Sequence, residues 1–416
     1  MKSQVRNQSI EVLYLCGGRS FNSARVGRKI SGVVGCWRKS GAIVHHVCGG
    51  DYSNPNMGNR DVENSNDLIK KYGARAYHEK WYRKSIYLAF FERSLSELRD
   101  ILHDNAMSRD KKINEHAESS NIIWERSSRL HMAGLKLAKK YRKIYVLEWK
   151  DHLIPYSYSI FRPLARQCEK LKVKHADFIV VESETLKEYL VDLGAERARI
   201  IVANNAVDPG EFLARRDTNR REDLGINNKT KVVGYLGSYA DYHNTLLLPD
   251  AIELLVSNGQ ADFKVVMIGD GKNREAFEAK VREKSLTDYF VFVDPIVAQQ
   301  VPEYLSVFDF AVLPGSTNII CPIKVQEYMA AGLPVVLPDY PCNEEVVSHL
   351  KEGFLFTEKD PDALAQAIGF YLQDLKSLKT SGELARAKAF DSFSWEATWG
   401  RALSEVTSNI SKAGVL

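Results

Sequence analysis

The fold of this chain is decided by residues 313–336, LPGSTNIICPIKVQEYMAAGLPVV. We expect a buried strand to end at Leu313 and a loop to follow it. Pro322 suits the first turn of a helix, because its missing N–H would have had no intrahelical partner. Gly332 and Pro334 stop that helix, and an apolar run begins a new strand immediately afterwards. Strand, loop, helix and strand in this order are typical of parallel α/β sheets.

The same alternation of short apolar runs and longer amphipathic stretches extends in both directions from this segment. Strands are predicted at residues 10–15, 43–47, 122–124, 144–147, 176–182, 200–202, 232–236, 263–268, 290–293, 310–313 and 334–337. The pattern restarts after residue 206, which predicts an α/β protein with two Rossmann-like domains, 1–206 and 207–394, facing each other across a cleft. Residues 395–416 are expected to form a helix that packs back on the first domain.

Composition restricts the class of protein further. The 416 residues are 44% hydrophobic and 26% charged, with a formal net charge of +4, which is ordinary for a globular protein and does not indicate nucleic acid. The cysteines form no C-x-x-C pair, so free thiols are expected rather than a structural zinc. We find neither a signal peptide nor a membrane-spanning run, and we therefore expect a cytoplasmic protein.

Lys324 and Glu327 are the charged pair of the central segment. They lie three positions apart and share one face of the predicted helix. A lysine in a first turn opposes the helix dipole, which favours anions, so its presence there suits a bound phosphate. A carboxylate one turn later suits sugar hydroxyls. The alternative is an ordinary ion pair on a solvated helix, and spacing alone does not separate the two interpretations.

The motif P-x-K-x-x-E-Y-M-A-A-G-x-P-V-V at residues 322–336 resembles the donor-site helix of retaining glycosyltransferases of family four, which have the GT-B fold. Similar matches occur at 176–183, 190–194, 200–208, 233–238, 266–271 and 393–395. The resemblance covers about residues 120–400 and is weak before them. It implies transfer of a sugar from a nucleotide-diphosphate sugar to a glycan or lipid-linked acceptor, with retention and without a metal or other cofactor.

The resemblance also implies roles for individual residues. Glu327 would hold the ribose hydroxyls, Lys324 and the backbone of 316–321 would face the diphosphate, and the turn after Val293 would meet the base. The implied donor-binding set is Gly17, Gly18, Gly237, Ser238, His243, Ser316, Lys324 and Glu327.

Three positions depart from the family pattern. A frequent glutamate is replaced by Ile319, and the phosphate-binding arginine and lysine are replaced by Ser238 and His243. Because neither replacement is a permanent cation, we expect Lys324 to take more of the diphosphate charge. A catalytic histidine of the first domain should fall within residues 150–152, and Asp151 and His152 are the candidates.

Basic residues recur in the first domain, and they could rest on an anionic membrane surface or simply form solvated helix faces. They are Arg25, Arg28, Lys29, Lys136, Lys139, Lys140, Arg142, Lys143, Arg162, Arg166, Lys170, Lys172 and Lys174.

Two rival functions stay open: an epimerase of the same fold acting on the sugar of a nucleotide sugar, and a non-catalytic subunit. The first predicts a changed sugar without an acceptor, and the missing cations at 238 and 243 favour the second.

Overall fold

The structure is a computed structural model, and it describes residues 9–17, 27–48, 51–52, 85–128, 130–150, 160–212 and 218–412. Three of the predicted site residues, Gly18, Asp151 and His152, lie outside this part of the chain. The described residues divide into two compact units. The first contains residues up to Asn204 together with those from Trp395 onward, and the second contains Asn205–Ser394.

The first unit is built on a seven-stranded sheet with the order β3-β2-β1-β4-β5-β6-β7. Its strands are β1 Glu11–Cys16, β2 Ile43–Cys48, β3 Asp51–Tyr52, β4 Ile122–Arg126, β5 Ile144–Glu148, β6 Phe178–Val181 and β7 Ile200–Val202. Strand β3 runs antiparallel to β2, and the other pairs are parallel. Every residue of β4 is buried, as expected of a central strand covered on both faces.

Helices cover this sheet between the strands. They are α1 Gly27–Lys39, α2 Ile86–Arg109, α3 Lys111–Ser119, α4 Ala133–Tyr141, α5 Arg162–His175, α6 Glu184–Asp192 and, at the far end of the chain, α15 Arg401–Lys412. The sequence sets their ends locally. The hydroxyl of Ser183, for example, accepts a hydrogen bond from the Leu186 N–H and so caps α6.

The C-terminal segment 395–412 belongs to the first unit because of its tryptophans. Trp399 is fully buried, and its carbonyl accepts a 2.8 Å hydrogen bond from the Trp37 indole on α1. Trp37 packs in turn against Trp124 of β4, with the ring centroids 4.5 Å apart. A Cβ on Gly32 would overlap the Trp395 ring, so glycine lets α1 approach this segment closely.

The second unit is built on a six-stranded parallel sheet with the order β10-β9-β8-β11-β12-β13. Its strands are β8 Lys231–Leu236, β9 Phe263–Ile268, β10 Phe290–Val293, β11 Phe310–Val312, β12 Val335–Pro338 and β13 Gly353–Phe356. Its helices are α7 Thr218–Asp223, α8 Leu247–Ser257, α9 Arg274–Glu283, α10 Val301–Leu305, α11 Ile323–Ala330, α12 Pro341–Glu344, α13 Pro361–Gln373 and α14 Leu375–Ser392. One continuous apolar core fills the space between these helices and the sheet.

The α/β fold class predicted from the sequence is confirmed, with two doubly wound sheets that are parallel except for the edge strand β3. Strands β7, β9 and β10 begin and end where they were predicted. The prediction missed β3 and β13, which are short and lack an apolar run of ordinary strand length. It was wrong by one position at α11, because Pro322 has extended backbone angles (φ −65°, ψ 141°) and precedes the helix as its N-cap. Gly332, with φ +76°, follows the end of α11 as expected.

Candidate functional site

The candidate site of the second unit lies where the strand order of its sheet reverses. Strands β8 and β11 are neighbours there, and the chain leaves them toward opposite sides of the sheet. Such reversal points create a crevice at the carboxyl ends of the strands. The loop after β8 carries Gly237, Ser238 and His243, and the loop after β11 carries Ser316 and leads into α11. Residues far apart in the sequence therefore come together at one edge of this sheet.

Gly237 and Gly269 allow the loops after β8 and β9 to touch. Gly237 has φ +156° and Gly269 has φ +133°, and a Cβ on Gly269 would overlap the carbonyl oxygen of Gly237. A Cβ on Gly237 would collide with the amino group of Lys324. A side chain at 269 would meet backbone, so glycine is required there. At 237 the positive φ angle favours glycine, and the absence of a Cβ leaves room for the flexible end of Lys324.

Lys324 reaches back from α11 toward β8. Its Nζ lies 3.1 Å from Nε2 of His243 and 5.1 Å from the centroid of the Tyr235 ring. The other ring nitrogen of His243, Nδ1, lies 3.3 Å from the carbonyl oxygen of Gly315. A neutral imidazole with its proton on Nδ1 satisfies both contacts, since it donates to Gly315 and accepts from Lys324.

The ionisation of this pair follows from its burial. Burial first, and the charge of Lys324 second, lower the pKa of His243 to about 3, so the imidazole is neutral at physiological pH. Burial also lowers the pKa of Lys324 to about 7, although the carboxylate of Glu327 opposes that shift. Lys324 is therefore the cation of this constellation, and its charge is poised to change near neutral pH.

Glu327 is one turn further along α11 and is 6% exposed. The hydroxyl of Tyr328 fixes the helix to the end of β8, because it accepts a 2.8 Å hydrogen bond from Leu236 N–H and donates to Leu236 O at 3.1 Å. The side chains at 324 and 327 are thus held by a helix that is itself hydrogen-bonded to the strand edge. This is the kind of rigid support that ligand binding requires.

The two predicted serines differ in their surroundings. Ser316 is buried, and its Oγ accepts a 3.2 Å hydrogen bond from the amide of Asn343. The Asn343 amide also donates to Pro338 O at 2.9 Å, so it joins the loop after β11 to the end of β12. The sequence did not reveal this role of Asn343, because a single asparagine produces no periodic signal. Ser238 is exposed, and its carbonyl accepts a 2.6 Å hydrogen bond from the Tyr235 hydroxyl.

In the first unit, Gly17 follows β1 directly and is packed against His131. A Cβ at this position would lie 2.8 Å from the His131 ring, so the close approach that glycine allows here is to a neighbouring side chain. From the sequence, a donor contact and a tight turn were equally good reasons for this glycine. The packing against His131 is a third reason, and only the structure reveals it.

Part of the basic set of the first unit is not available to a membrane. Lys29 and Lys172 are buried, and Lys172 donates 3.0 Å hydrogen bonds to the hydroxyl of Ser127 and the carbonyl of Ser128. Lys136 forms a 2.9 Å ion pair with the buried Asp104. The inclusion of Lys29 and Lys172 among surface cations was therefore wrong. Each sits on a helix face that turns inward, which a charge count cannot show.

Membrane spans and metal centres are both absent from the described residues. No helix in that part of the chain is both long and apolar enough to cross a bilayer. No group of three or more His, Cys, Asp or Glu residues there is arranged to hold a metal ion. All six cysteines are buried free thiols.

Comparisons with known proteins agree with this architecture. Residues 230–374 match the family described as "Glycosyl transferases group 1". The 2-deoxystreptamine glucosyltransferase of Streptomyces kanamyceticus is 29% identical over 180 residues, which are 42% of this chain and 46% of that protein. The D-inositol 3-phosphate glycosyltransferase of Corynebacterium jeikeium is 27% identical over 259 residues, 60% of this chain and 61% of that protein. The chain thus spans about half to three-fifths of the length of these relatives.

Solved structures extend the similarity to nearly the whole chain. Anabaena HepE in complex with UDP superposes with a TM-score of 0.69 at 17% identity, over 96% of this chain and 100% of that one. A glycosyltransferase from Rickettsia africae gives a TM-score of 0.69 at 16% identity, over 97% and 99%. The fold is the GT-B fold, as the sequence predicted. Together with the family match over residues 230–374, it confirms the resemblance to glycosyltransferases.

Proposed function

We propose that this chain transfers a sugar from a nucleoside-diphosphate sugar to an acceptor. The observation that carries the proposal is the placement of Lys324 at the start of α11, at the strand-order reversal of a sheet that matches the group 1 glycosyl transferases. A helix start and an adjacent cation together suit a diphosphate. The two relatives are both named as sugar transferases, which supports the same activity.

Different groups of the site would bind the diphosphate and the ribose of the donor. Backbone N–H groups of the first turn of α11 would face the diphosphate, and Pro322 contributes none of them because it has no N–H. Lys324 would supply the charge, and His243 would hold its amino group in place. Glu327 would accept hydrogen bonds from the two ribose hydroxyls, as carboxylates do when they bind vicinal diols.

Catalysis would depend on stabilising the leaving diphosphate. As the bond between the sugar and the phosphate breaks, negative charge grows on the phosphate oxygen. The fixed dipoles at the start of α11 and the Lys324 ammonium are already oriented, so they stabilise that charge without reorganising.

We further propose that transfer proceeds with retention and without a metal, and that Asp151 or His152 contributes from the first unit. The proposed acceptor is a glycan or a lipid-linked sugar at the cytoplasmic face of a membrane.

The test is donor turnover by the Lys324→Ala and Glu327→Ala variants. Loss of one such oriented group lowers kcat by about 10²–10³ in well-studied enzymes, and we expect a decrease of that order for Lys324→Ala. Lys379→Ala and Glu383→Ala are matched controls, because this 3.9 Å pair is exposed on α14. Unimpaired turnover in both site variants would remove the proposed site.

Three further measurements separate the finer parts of the proposal. Proton NMR of the first-formed product reports the anomeric configuration, and inversion would contradict retention. Activity after exhaustive chelation tests metal independence. Incubation of the donor without an acceptor, followed by chromatography, distinguishes the transferase from an epimerase, since only the epimerase would release an isomerised nucleotide sugar.

A further inference from the structure

The first unit also has a reversal of strand order, and charged side chains meet there. The last residues of four adjacent parallel strands are in register: Cys48 pairs with Cys16, Cys16 with Arg126, and Arg126 with Glu148. The order of the sheet reverses between β1 and β4, so Arg126 stands at the reversal point itself. This is the position at which open α/β sheets bind ligands.

Arg126 is the central group of this row. It is 5% exposed, and its Nε lies 3.3 Å from Oε1 of Glu148. Among the residues that the structure describes, its Nη1 atom has no hydrogen-bond partner, and the 3.3 Å contact of its Nε is an ion pair in which neither Nε nor Oε1 makes a hydrogen bond. A buried donor without a partner carries the full cost of its desolvation, so a guanidinium in this state indicates that a further acceptor completes it.

The carboxylates around Arg126 contact other side chains, and Oε1 of Glu148 does so through ion pairs alone. Oε2 of Glu148 accepts a 2.7 Å hydrogen bond from the Tyr14 hydroxyl, and Oε1 lies 3.8 Å from the amino group of Lys29. Lys29 also forms an ion pair with Glu182 and lies 4.3 Å from the centroid of the Trp399 ring. The two carboxylates are therefore shared between two cations.

Lys150 adds a third cation. It follows β5 by two residues and interacts electrostatically with Arg126, Glu182, Lys29 and Glu148. Burial and then the Arg126 charge lower the pKa of Lys150 to about 8, so it is still mainly protonated at pH 7. The pKa of Glu182 is lowered to about 2 despite burial, because Lys29 is beside it.

Burial lowers the pKa of Lys29, and the carboxylates of Glu182 and Glu148 oppose that shift. With Lys29 held protonated by these carboxylates, three cations and two carboxylates leave this cluster with one positive charge in excess. A low-dielectric site with an excess charge is costly unless an opposite charge neutralises it. An oxyanion beside Nη1 of Arg126 would do so, and it would also supply an acceptor for that atom. The planar fork of an arginine together with two lysines matches phosphate better than a neutral hydroxyl.

We propose that Arg126, Lys29 and Lys150 form a site in the first unit for a phosphate group of the acceptor. This inference rests on the proposed transferase activity, which requires an acceptor, and it gives that acceptor a chemical class. Glu148 and Glu182 are positioning residues: they hold the cations in place and limit the charge of the site to what one phosphate neutralises.

The test is a titration that monitors tryptophan fluorescence, since Trp399 lies over Lys29. The probes are glucose 6-phosphate and glucose, and the Lys324→Ala background removes the cation of the second unit. We expect saturable binding of glucose 6-phosphate, no binding of glucose at the same concentrations, and at least tenfold weaker binding after Arg126→Gln. Equal binding of the two sugars, or binding that Lys324→Ala alone abolishes, would overturn the proposal.

A second variant guards against misfolding of Arg126→Gln. Lys150→Met changes a partly buried side chain at the end of β5, and circular dichroism checks that it is folded. Unchanged binding of glucose 6-phosphate in folded Lys150→Met and Arg126→Gln would overturn the proposal. Binding to vesicles of phosphatidic acid, compared with vesicles of phosphatidylcholine, distinguishes a phosphate carried by a lipid from one carried by a soluble acceptor. A lipid acceptor predicts vesicle binding that depends on Arg126, and a soluble acceptor predicts no vesicle binding.

The same experiments separate this inference from the proposed function. Donor turnover that depends on Lys324 without any phosphate binding at Arg126 would leave the transferase standing and remove the acceptor site. Phosphate binding at Arg126 in a protein without donor turnover would remove the transferase and leave an anion site of another purpose.

Discussion

Donor affinity should decrease as the pH rises from 6 to 8, because Lys324 loses its proton in this interval. With a pKa of about 7, the protonated fraction of Lys324 falls from about nine-tenths to about one-tenth. If only the ammonium form binds the diphosphate, affinity falls about tenfold, which corresponds to about 1.4 kcal/mol. The sign follows from the lowered pKa: a lysine at its usual value would stay charged throughout the interval.

The other groups around Lys324 do not produce this change. His243 has a pKa of about 3 and stays neutral over the whole interval. Tyr235 keeps its proton as well, because burial raises its pKa well above the ordinary value. The intact diphosphate of a sugar nucleotide has no proton that titrates near neutral pH, so a nucleotide sugar is a better probe than a free nucleoside diphosphate.

Isothermal titration calorimetry at pH 6, 7 and 8 gives the affinity directly. The Lys324→Arg variant is the comparison, because a guanidinium stays charged at all these values and its affinity should not change with pH. Lys379→Arg, on the exposed face of α14, controls for the change of side-chain type. A wild-type profile as flat as that of Lys324→Arg would refute the argument.

Four further substitutions have expected outcomes. Gly234→Ala should lower the free energy of unfolding by at least about 1–3 kcal/mol, because its Cβ would overlap the buried Phe308 ring. Gly35→Ala should raise the free energy of unfolding by about 0.5–1 kcal/mol, because its Cβ meets open space on α1. Equal urea midpoints for the two variants would contradict both expectations. Trp399→Ala should cost about 3–5 kcal/mol, because the side chain is fully buried, and an unchanged urea midpoint would show that the C-terminal segment does not stabilise the first unit. Glu327→Gln should weaken donor binding about tenfold in calorimetry, since a neutral amide accepts weaker hydrogen bonds from hydroxyls than a carboxylate does, and unchanged affinity would exclude Glu327 from the donor site.

Much of the second unit could be predicted from local sequence. The strands at 263–268 and 290–293 are short apolar runs, and the polar turn residues on either side are enough to define where they begin and end. Strand β13 has as many residues as β10, but it begins with glycine and so presents a shorter apolar run, which is why it was not recognised in the same way. The Lys324–Glu327 pair was found because both residues lie on one helix turn, where spacing in the sequence is also spacing in the structure.

The partners of that pair could not be predicted from local spacing. His243 is 81 positions from Lys324, and their 3.1 Å contact exists because β8 and β11 are neighbours in the sheet. Local spacing predicts even less of the cluster around Arg126. Lys29, Arg126 and Glu148 come from α1, β4 and β5, and Glu182 comes from the loop after β6. In the sequence each is an ordinary charged residue without a neighbour of complementary function.

The α/β class, the approximate positions of most strands, and a helix with a lysine and a glutamate one turn apart could all be inferred from the amino-acid sequence alone. These properties depend on residues close together along the chain, whose periodicity and turn chemistry act locally. The folded protein was needed to show which charges are buried, and so which pKa values shift. It was also needed to show which glycines make room for a neighbouring side chain and which strand ends lie side by side. Burial and strand order arise from contacts between distant segments, and a single sequence does not encode them in any local pattern.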